Sequence, residues 1–483
     1  MSGHDDQAAL DCLTFDVRWQ HALGLSLDDA YLSRRSFVDF RSRLVRADPE
    51  MLRLRVLFDR ITDTAVEELS IQLGEQRLDS THIRSNIAAR GRCGLIADSL
   101  RCLLRIMERG AQVCFASLSH EVRSWYAGER PIVERGPDRY AARLAALGGW
   151  LAETLCAART APKIAASESY AVALRAFEQH YVIDPDGKGG EGDRARPSSP
   201  VGQTGPIGSG SNSAHGVVAR RKPIGGKNSL QSAHDPDATY GHKGGGYHVQ
   251  VAETCSNAGT EIITDFLLTE AIPDQDQALP TIVRLQQCGR QPDVLFADAG
   301  YGSGKSLTRC AELGVALFAP VSPGRSLPRT LRRNLFDFDS DGLVAACPEG
   351  HAPVRHGYRR SASARQGTAL HAYFDAATCR ACPRRPDCST GPPSNGRSGC
   401  YQIEIRPEQV ARDLRLAEQK GEPFRTRIRI RAGIEATNSE LKRAHGLGVL
   451  RVRRRPRVRA KVAFKVIACN TKRWLRAARF NRI

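Results

Sequence analysis

Two aspartates stand at the ends of short apolar runs: Asp79 in Leu78-Asp79-Ser80-Thr81-His82-Ile83, and Asp298 in Phe296-Ala297-Asp298-Ala299-Gly300-Tyr301-Gly302. A carboxylate at or beside a strand is held rigidly, and hard divalent cations prefer such oxygen ligands. A third acid, Glu435, lies where Arg431, Glu435, Asn438, Lys442 and His445 are spaced four, three, four and three apart. On a helix this spacing puts all five on one face, with Ile434 and Leu441 beside it. Together the three acids suit phosphodiester chemistry, in which two metal ions about 3.5–4 Å apart activate the attacking oxygen and stabilise the leaving one. Each acid alone has a plainer reading. A single strand-end aspartate is ordinarily a turn residue, and Arg431 with Glu435 could be a surface i,i+4 pair worth a few tenths of a kcal/mol.

The elements that must position these acids follow from hydrophobic periodicity. Residues 10–72 have helical spacing, broken at Ala47-Asp48-Pro49, and a short strand is expected around Leu78. Residues 95–180 again look helical, through Leu100, Leu103, Leu104, Ile106 and Met107 and then Leu144, Leu147 and Leu151. Gly, Ser, Pro and charge dominate 184–228, which reads as a flexible linker with order resuming near His234. Beyond it the pattern is α/β: strands over 247–252 and 262–268, a helix over 276–287, a strand over 294–297, a helix over 306–312 and a strand over 315–319. Residues 322–405 interrupt this with Pro, Arg and Cys, and a helix over 431–445 follows, with Gly446 as its stop.

A formal charge of +19 points to a polyanionic partner. From residue 425 to the end there are fifteen Arg and four Lys against Glu435 and Glu440, a net of +17. Val449, Val452, Val458, Val462, Phe464, Val466, Ile467, Trp474 and Leu475 are interleaved with this charge. The expectation is therefore a folded basic surface that neutralises nucleic-acid phosphates, with Arg451, Arg453, Arg454 and Arg455 among its contacts. No apolar run approaches the ~18 residues of a membrane span, and the first residues lack a signal-peptide layout. A soluble, cytoplasmic protein is expected, its cysteines mostly reduced and many of them buried.

The order of Leu78-Asp79-Ser80-Thr81, then Asp235-Pro236-Asp237-Ala238 with Gly246-Tyr247-His248-Val249-Gln250, then Ala297-Asp298-Ala299-Gly300-Tyr301-Gly302, then Arg431-x3-Glu435-x6-Lys442 resembles DDE transposases of bacterial insertion sequences. The resemblance runs from about Phe15 to Trp474. It implies an α/β, RNase H-like mixed sheet with flanking helices, and Asp79, Asp298 and Glu435 as a triad binding Mg2+ or Mn2+. It further implies Arg431 and Lys442 as bases near substrate DNA, Asp237 and Asp274 as structural acids, and double-stranded DNA at transposon ends and target as partner, with a homodimer formed on it. The chain departs from the pattern at Ile428, where many such enzymes carry a Tyr. Its N-terminal part is also short, so a truncated copy is expected. The implied organisation is a helical, DNA-binding N-terminal region over 1–75 and a catalytic core over 76–320 and 406–450 carrying an insertion over about 88–232. A Cys-rich insertion over 321–405 and a basic segment over 451–483 complete it.

Two further motifs bear on chemistry. Cys347, Cys379, Cys382 and Cys388 have the look of a four-thiolate zinc knuckle, with His351 and His356 as substitute ligands and Cys400 as a bystander; the plainer reading is unligated thiols in a loop. Ala299-Gly300-Tyr301-Gly302-Ser303-Gly304-Lys305-Ser306 loosely fits a phosphate loop, which would make the chain an NTPase using Lys305. Against that reading, Ala299 replaces the first glycine, Asp298 would sit beside the phosphates, and the next strand ends in Pro320 instead of an acid. A third alternative is a catalytically inactive, DNA-binding relic.

Overall fold

The computed structural model describes residues 6–26, 28–29, 31–87, 90–128, 137–183, 216–241, 244–256, 260–270, 274–322, 333–360, 368–392 and 399–480. Five strands, β1 (Glu75–Arg84), β2 (Gly244–Thr254), β3 (Ile263–Glu270), β4 (Val294–Ala297) and β5 (Ala316–Phe318), form a mixed sheet in the order β3-β2-β1-β4-β5. A short strand, Thr239–Gly241, adds to β2 beside β3. The short strand expected around Leu78 is a ten-residue central strand. It pairs antiparallel with β2 and parallel with β4, so the sheet changes direction across it.

Parallel neighbours need a crossover, and the helical patterns supply it. Helix α5 (Ala278–Gln287) links β3 to β4, and α6 (Gly304–Glu312) links β4 to β5; five further helices are α1 (Leu52–Glu68), α2 (Arg92–Gly110), α3 (Pro137–Arg159), α4 (Glu168–His180) and α7 (Pro407–Glu418). The chain ends in α8 (Ile434–Arg443) and α9 (Arg455–Phe480). Alternation along β1 divides the core. Leu78 faces α5, α6 and α7 through Ile282, Leu285, Leu307 and Leu416. Ile83 faces the other side with Phe58 of α1, Leu441 of α8 and Val462 and Val466 of α9.

The chain between β1 and β2 holds α2, α3 and α4, whose periodic leucines make a core of their own: Leu100, Leu103, Leu104, Leu147 and Leu151 are all fully buried. The linker expected over 184–228 falls mostly outside the described residues, but its last part is built into the fold. Residues 184–215 lie outside the described residues; beyond them Val217–Ala219 pairs with Tyr181–Ile183, and Leu230 joins the helical core. In the Cys-rich region, β6 (Arg355–Arg360), β7 (Thr368–Asp375) and β8 (Cys400–Ile405) form an antiparallel sheet over a small core of Phe336, Val344, Leu370, Phe374 and Ile403. All fourteen cysteines lie among the described residues and none is in a disulfide; three, Cys255, Cys310 and Cys469, are buried. Among the described residues no helix is long and apolar enough to cross a membrane.

Candidate active site

The parallel register pairs Leu78 with Ala297, so the next residues, Asp79 and Asp298, emerge side by side where β4 ends. This is the point at which the sheet reverses direction, where crevices at the carboxyl ends of strands form. Opposite Asp79, β2 contributes Val251. By alternation Asp79 shares the face of Ile83, and α8 covers that face: Asn438 donates its amide to Asp79 Oδ2 at 3.1 Å. Glu435 lies one turn earlier on α8, exposed, with Arg431 Nη2 3.4 Å from its carboxylate. Asp79 and Asp298 are thus neighbours at the end of β4, and Glu435 is carried by the helix whose Asn438 bonds Asp79.

Burial raises the Asp79 carboxyl to about 6; the Ser80 N–H, at 2.8 Å, pulls it down, Asp298 pushes it up, and Arg431 lowers it. Asp298 is held by the Gly300 N–H at 2.7 Å. On the opposite face of β1, Asp274 accepts hydrogen bonds from Ser80 at 2.7 Å and Gln250 at 2.6 Å, and Gln250 also accepts from the buried Tyr301 hydroxyl. Burial would raise Asp274, but hydrogen bonds from His248, Gln250 and Ser80 outweigh it and keep the acid below its ordinary value. Asp274 thus ties the Asp79 strand to the Asp298 turn.

The site fits a hard divalent ion. A half-buried carboxylate beside a second one ionises only against a cost that a cation removes. The donors are all oxygens, and the buried Oδ1 of Asn438 has no hydrogen-bond partner among the described residues. Asp79, Asp298 and Glu435 would hold such an ion.

What sequence reading missed is the set of residues that dock α8. Glu253 of β2 is fully buried and faces two guanidiniums, Arg77 at 2.7 Å and Arg473 of α9 at 3.1 Å. Arg77, two residues before Asp79, also donates to the Ile430 carbonyl at 3.1 Å. A Cβ on Gly433 would lie 2.0 Å from Arg77 Nη1, so only glycine lets the guanidinium through. Arg473 reaches Thr437 at 2.6 Å and Glu440 at 2.9 Å. The helix expected over 431–445 is also divided: Ile428–Gly433 is a 3-10 turn carrying Arg431, and the α-helix ends at Arg443. Its polar stripe is not a solvent face, since Asn438 and His445 are buried while Glu435 and Lys442 are exposed.

Of the predicted DNA contacts, Lys442, Arg451 and Arg453 are exposed, and Arg453 donates to the Asn86 carbonyl at 2.6 Å. Arg454 pairs with Glu168, and its N–H goes to Asp235 at 2.9 Å; the Arg455 N–H goes to Asp237 at 3.0 Å. These two aspartates fix the entry to α9. The expected basic segment is in this sense a core element, with Val458, Val462, Val466 and Cys469 of α9 buried.

The glycines near Lys305 have a packing explanation. A Cβ on Gly302 would lie 1.8 Å from the Pro320 carbonyl oxygen, and one on Gly304 1.8 Å from that of Glu408. They let this loop press against the end of β5 and α7, which leaves the phosphate-loop reading without support from them. Cys347, Cys379, Cys382 and Cys388 line one cavity, together with His351. His356 is engaged elsewhere, with Nε2 2.9 Å from the Val344 carbonyl.

Residues 346–475 match the family model described as transposase DDE domain, and the match supports a DDE-type transposase. The matched stretch includes the four cysteines, Glu435 and most of α9, whereas Asp79 and Asp298 precede it. Comparison with curated proteins and with solved structures gave no match.

Proposed function

We propose that this chain is the transposase of an insertion sequence, cutting DNA at the element ends and transferring the 3′-OH to target DNA, with Asp79, Asp298 and Glu435 binding Mg2+ or Mn2+. The observation that carries this reading is the register that brings Asp79 and Asp298 together under α8, with Asn438 on Asp79. The sheet order, three antiparallel strands followed by two parallel ones, supports an RNase H-like core. The family match supports DNA as substrate and a divalent metal as cofactor.

When bound, two ions would lower the pKa of an attacking water and neutralise charge on the phosphodiester. The chain's own residues prepare the site for them. Asn438 orients the Asp79 carboxylate, the Gly300 N–H fixes Asp298, and Arg431 screens Glu435 while offering a guanidinium to a DNA phosphate. Exposed Lys442 and Arg451 extend the basic surface along the strand. Because two element ends must be joined in one event, the working unit is a homodimer on DNA.

A cleavage assay on DNA carrying the native element ends, with Mg2+, tests the assignment. Asp79→Asn, Asp298→Asn and Glu435→Gln should each abolish cleavage and strand transfer while leaving DNA binding intact. Any of the three cutting at near the parental rate removes that residue from the triad. A parental chain that binds ends without cutting is a relic.

A further inference from the structure

We propose that Cys347, Cys379, Cys382 and Cys388 form a thiolate site for one zinc ion that braces the Cys-rich region, independently of the carboxylate site. The four thiols come from two places in sequence and converge on one cavity of about 280 Å³, which His351 also lines. The first place is a tight turn: the Gly350 N–H donates to the Cys347 carbonyl at 2.8 Å, the Cys347 N–H to the His351 carbonyl at 2.9 Å, and Gly350 takes φ 79°. His351 Nδ1 lies 3.5 Å from Cys347 Sγ. The second is the short helix Ala376–Ala381, which carries Cys379 and ends at Cys382, three residues on and so on the same side. Arg385–Asp387 then forms one 3-10 turn and delivers Cys388.

The region has reason to need a metal. Its core is seven buried side chains under a three-stranded sheet, an apolar reserve too small to fix loops of this length without a staple. Soft thiolates in such a set select zinc or an iron–sulfur cluster over hard ions. The neighbouring cations do not occupy the thiols: Arg384 lies 3.5 Å from Glu349, and Arg385 donates to Thr390 at 2.7 Å.

A rival site is geometrically tighter. Among the described residues, Glu440, His445 and Cys469 are the three whose ligand atoms all lie within 4.8 Å of one another, while the four thiols stand wider around their cavity. Arg473 at 2.9 Å and Lys472 at 3.7 Å already neutralise Glu440, so a cation there would meet two like charges. Arg384 and Arg385 also line the cysteine cavity, but each is turned to another partner, Glu349 and Thr390, and thiolates can turn inward onto a metal as they lose their protons. The site matters to the rest of the molecule because β8 leads directly into α7, whose Glu408 carbonyl abuts Gly304 beside the Asp298 turn.

The test uses the full chain purified without chelator. Elemental analysis should find about one zinc per chain and no iron. After chelation, Co2+ titration should give thiolate-to-cobalt charge-transfer absorption, and four fewer thiols should react in the loaded protein than in the stripped one. Cys379→Ser and Cys382→Ser should lose this spectrum, and Cys400→Ser should keep it. Wild-type protein that takes up neither zinc nor cobalt, or a spectrum that survives Cys379→Ser but vanishes when His445 is replaced, overturns the assignment. Iron with sulfide in place of zinc overturns the choice of metal.

Discussion

In the metal-free chain the Asp79 carboxyl stands at about 6, raised from 3.8 by burial and by Asp298. Between these values the folded state binds a proton that the unfolded state releases, so this group's contribution falls as pH rises through the window and stays unfavourable above it. The cost at neutral pH is about 2–3 kcal/mol. Asp79→Asn should therefore raise the urea midpoint at pH 7.5 without metal, and the advantage should vanish near pH 4. Adding Mg2+ should stabilise the parental chain more than the variant, which separates a metal ligand from a merely buried acid. Glu440 has the opposite sign. His445, then Arg473 and Lys472, hold it at about 2 against an ordinary 4.5, so its contribution is complete above pH 4.5 and is lost as pH falls through 2. Glu440→Gln should cost roughly 1–2 kcal/mol at pH 7, allowing for solvent screening, and the loss should shrink in acid unfolding experiments. A neutral outcome would mean that Arg473 is held by Glu253 alone.

At the scale of elements, α8 is held to the sheet through charge and not only through Leu441. Glu253 is a buried carboxylate that faces both Arg77 and Arg473. Removing one partner of a buried pair strands the others, typically at 3–5 kcal/mol. Glu253→Gln should lower stability by about 3 kcal/mol in urea unfolding, and Gly433→Ala should cost at least as much of the cleavage rate as of the stability, because Arg77 must leave the Ile430 carbonyl and α8 shifts over Asp79. An unchanged cleavage rate in Gly433→Ala would show that α8 need not be so placed. Local patterns made much of this legible. The expected strand over 294–297 matches β4 to the residue, since a short apolar run ending in Asp-Ala-Gly carries its own boundaries. The leucines of α2 and α3 marked helices over 95–180 but not where one helix ends and the next begins. What docks α8 was not legible: Glu253 is 176 residues from Arg77 and 220 from Arg473, and each resembles an ordinary surface charge until the fold brings them together. The spacing of Asn438 and His445 gave the correct side of the helix but not its burial, because periodicity identifies a face and not what covers it.

At the scale of the whole molecule, the concentrated C-terminal charge is divided between structure and surface. Arg473, Arg454 and Arg459 are engaged with Glu253, Glu168 and Glu50, while Arg451 and Arg457 are exposed. These last two, with Arg41, Lys461 and Lys465, border a cavity of about 490 Å³ between the helix Arg34–Ala47, the turn after α8 and α9. Lys461 and Lys465 are both held below their ordinary value, first by burial and then by neighbouring positive charge, which a phosphate would relieve. Deleting the segment cannot test its role in DNA binding, since α9 carries Val458, Val462 and Val466 into the core and the chain would unfold with it. Point changes can. Arg451→Ala and Arg457→Ala should leave the melting temperature within about 1 °C, as exposed substitutions do. Each should weaken binding by a similar factor for end and unrelated sequences alike, and reduce the slope of log affinity against log salt by about 0.9, the release of one phosphate's counterions. Fluorescence anisotropy over a range of salt concentrations measures this. A full slope in the double variant would move the DNA surface away from the cavity and towards Arg425, Arg429 and Lys442, which are exposed on and just before α8.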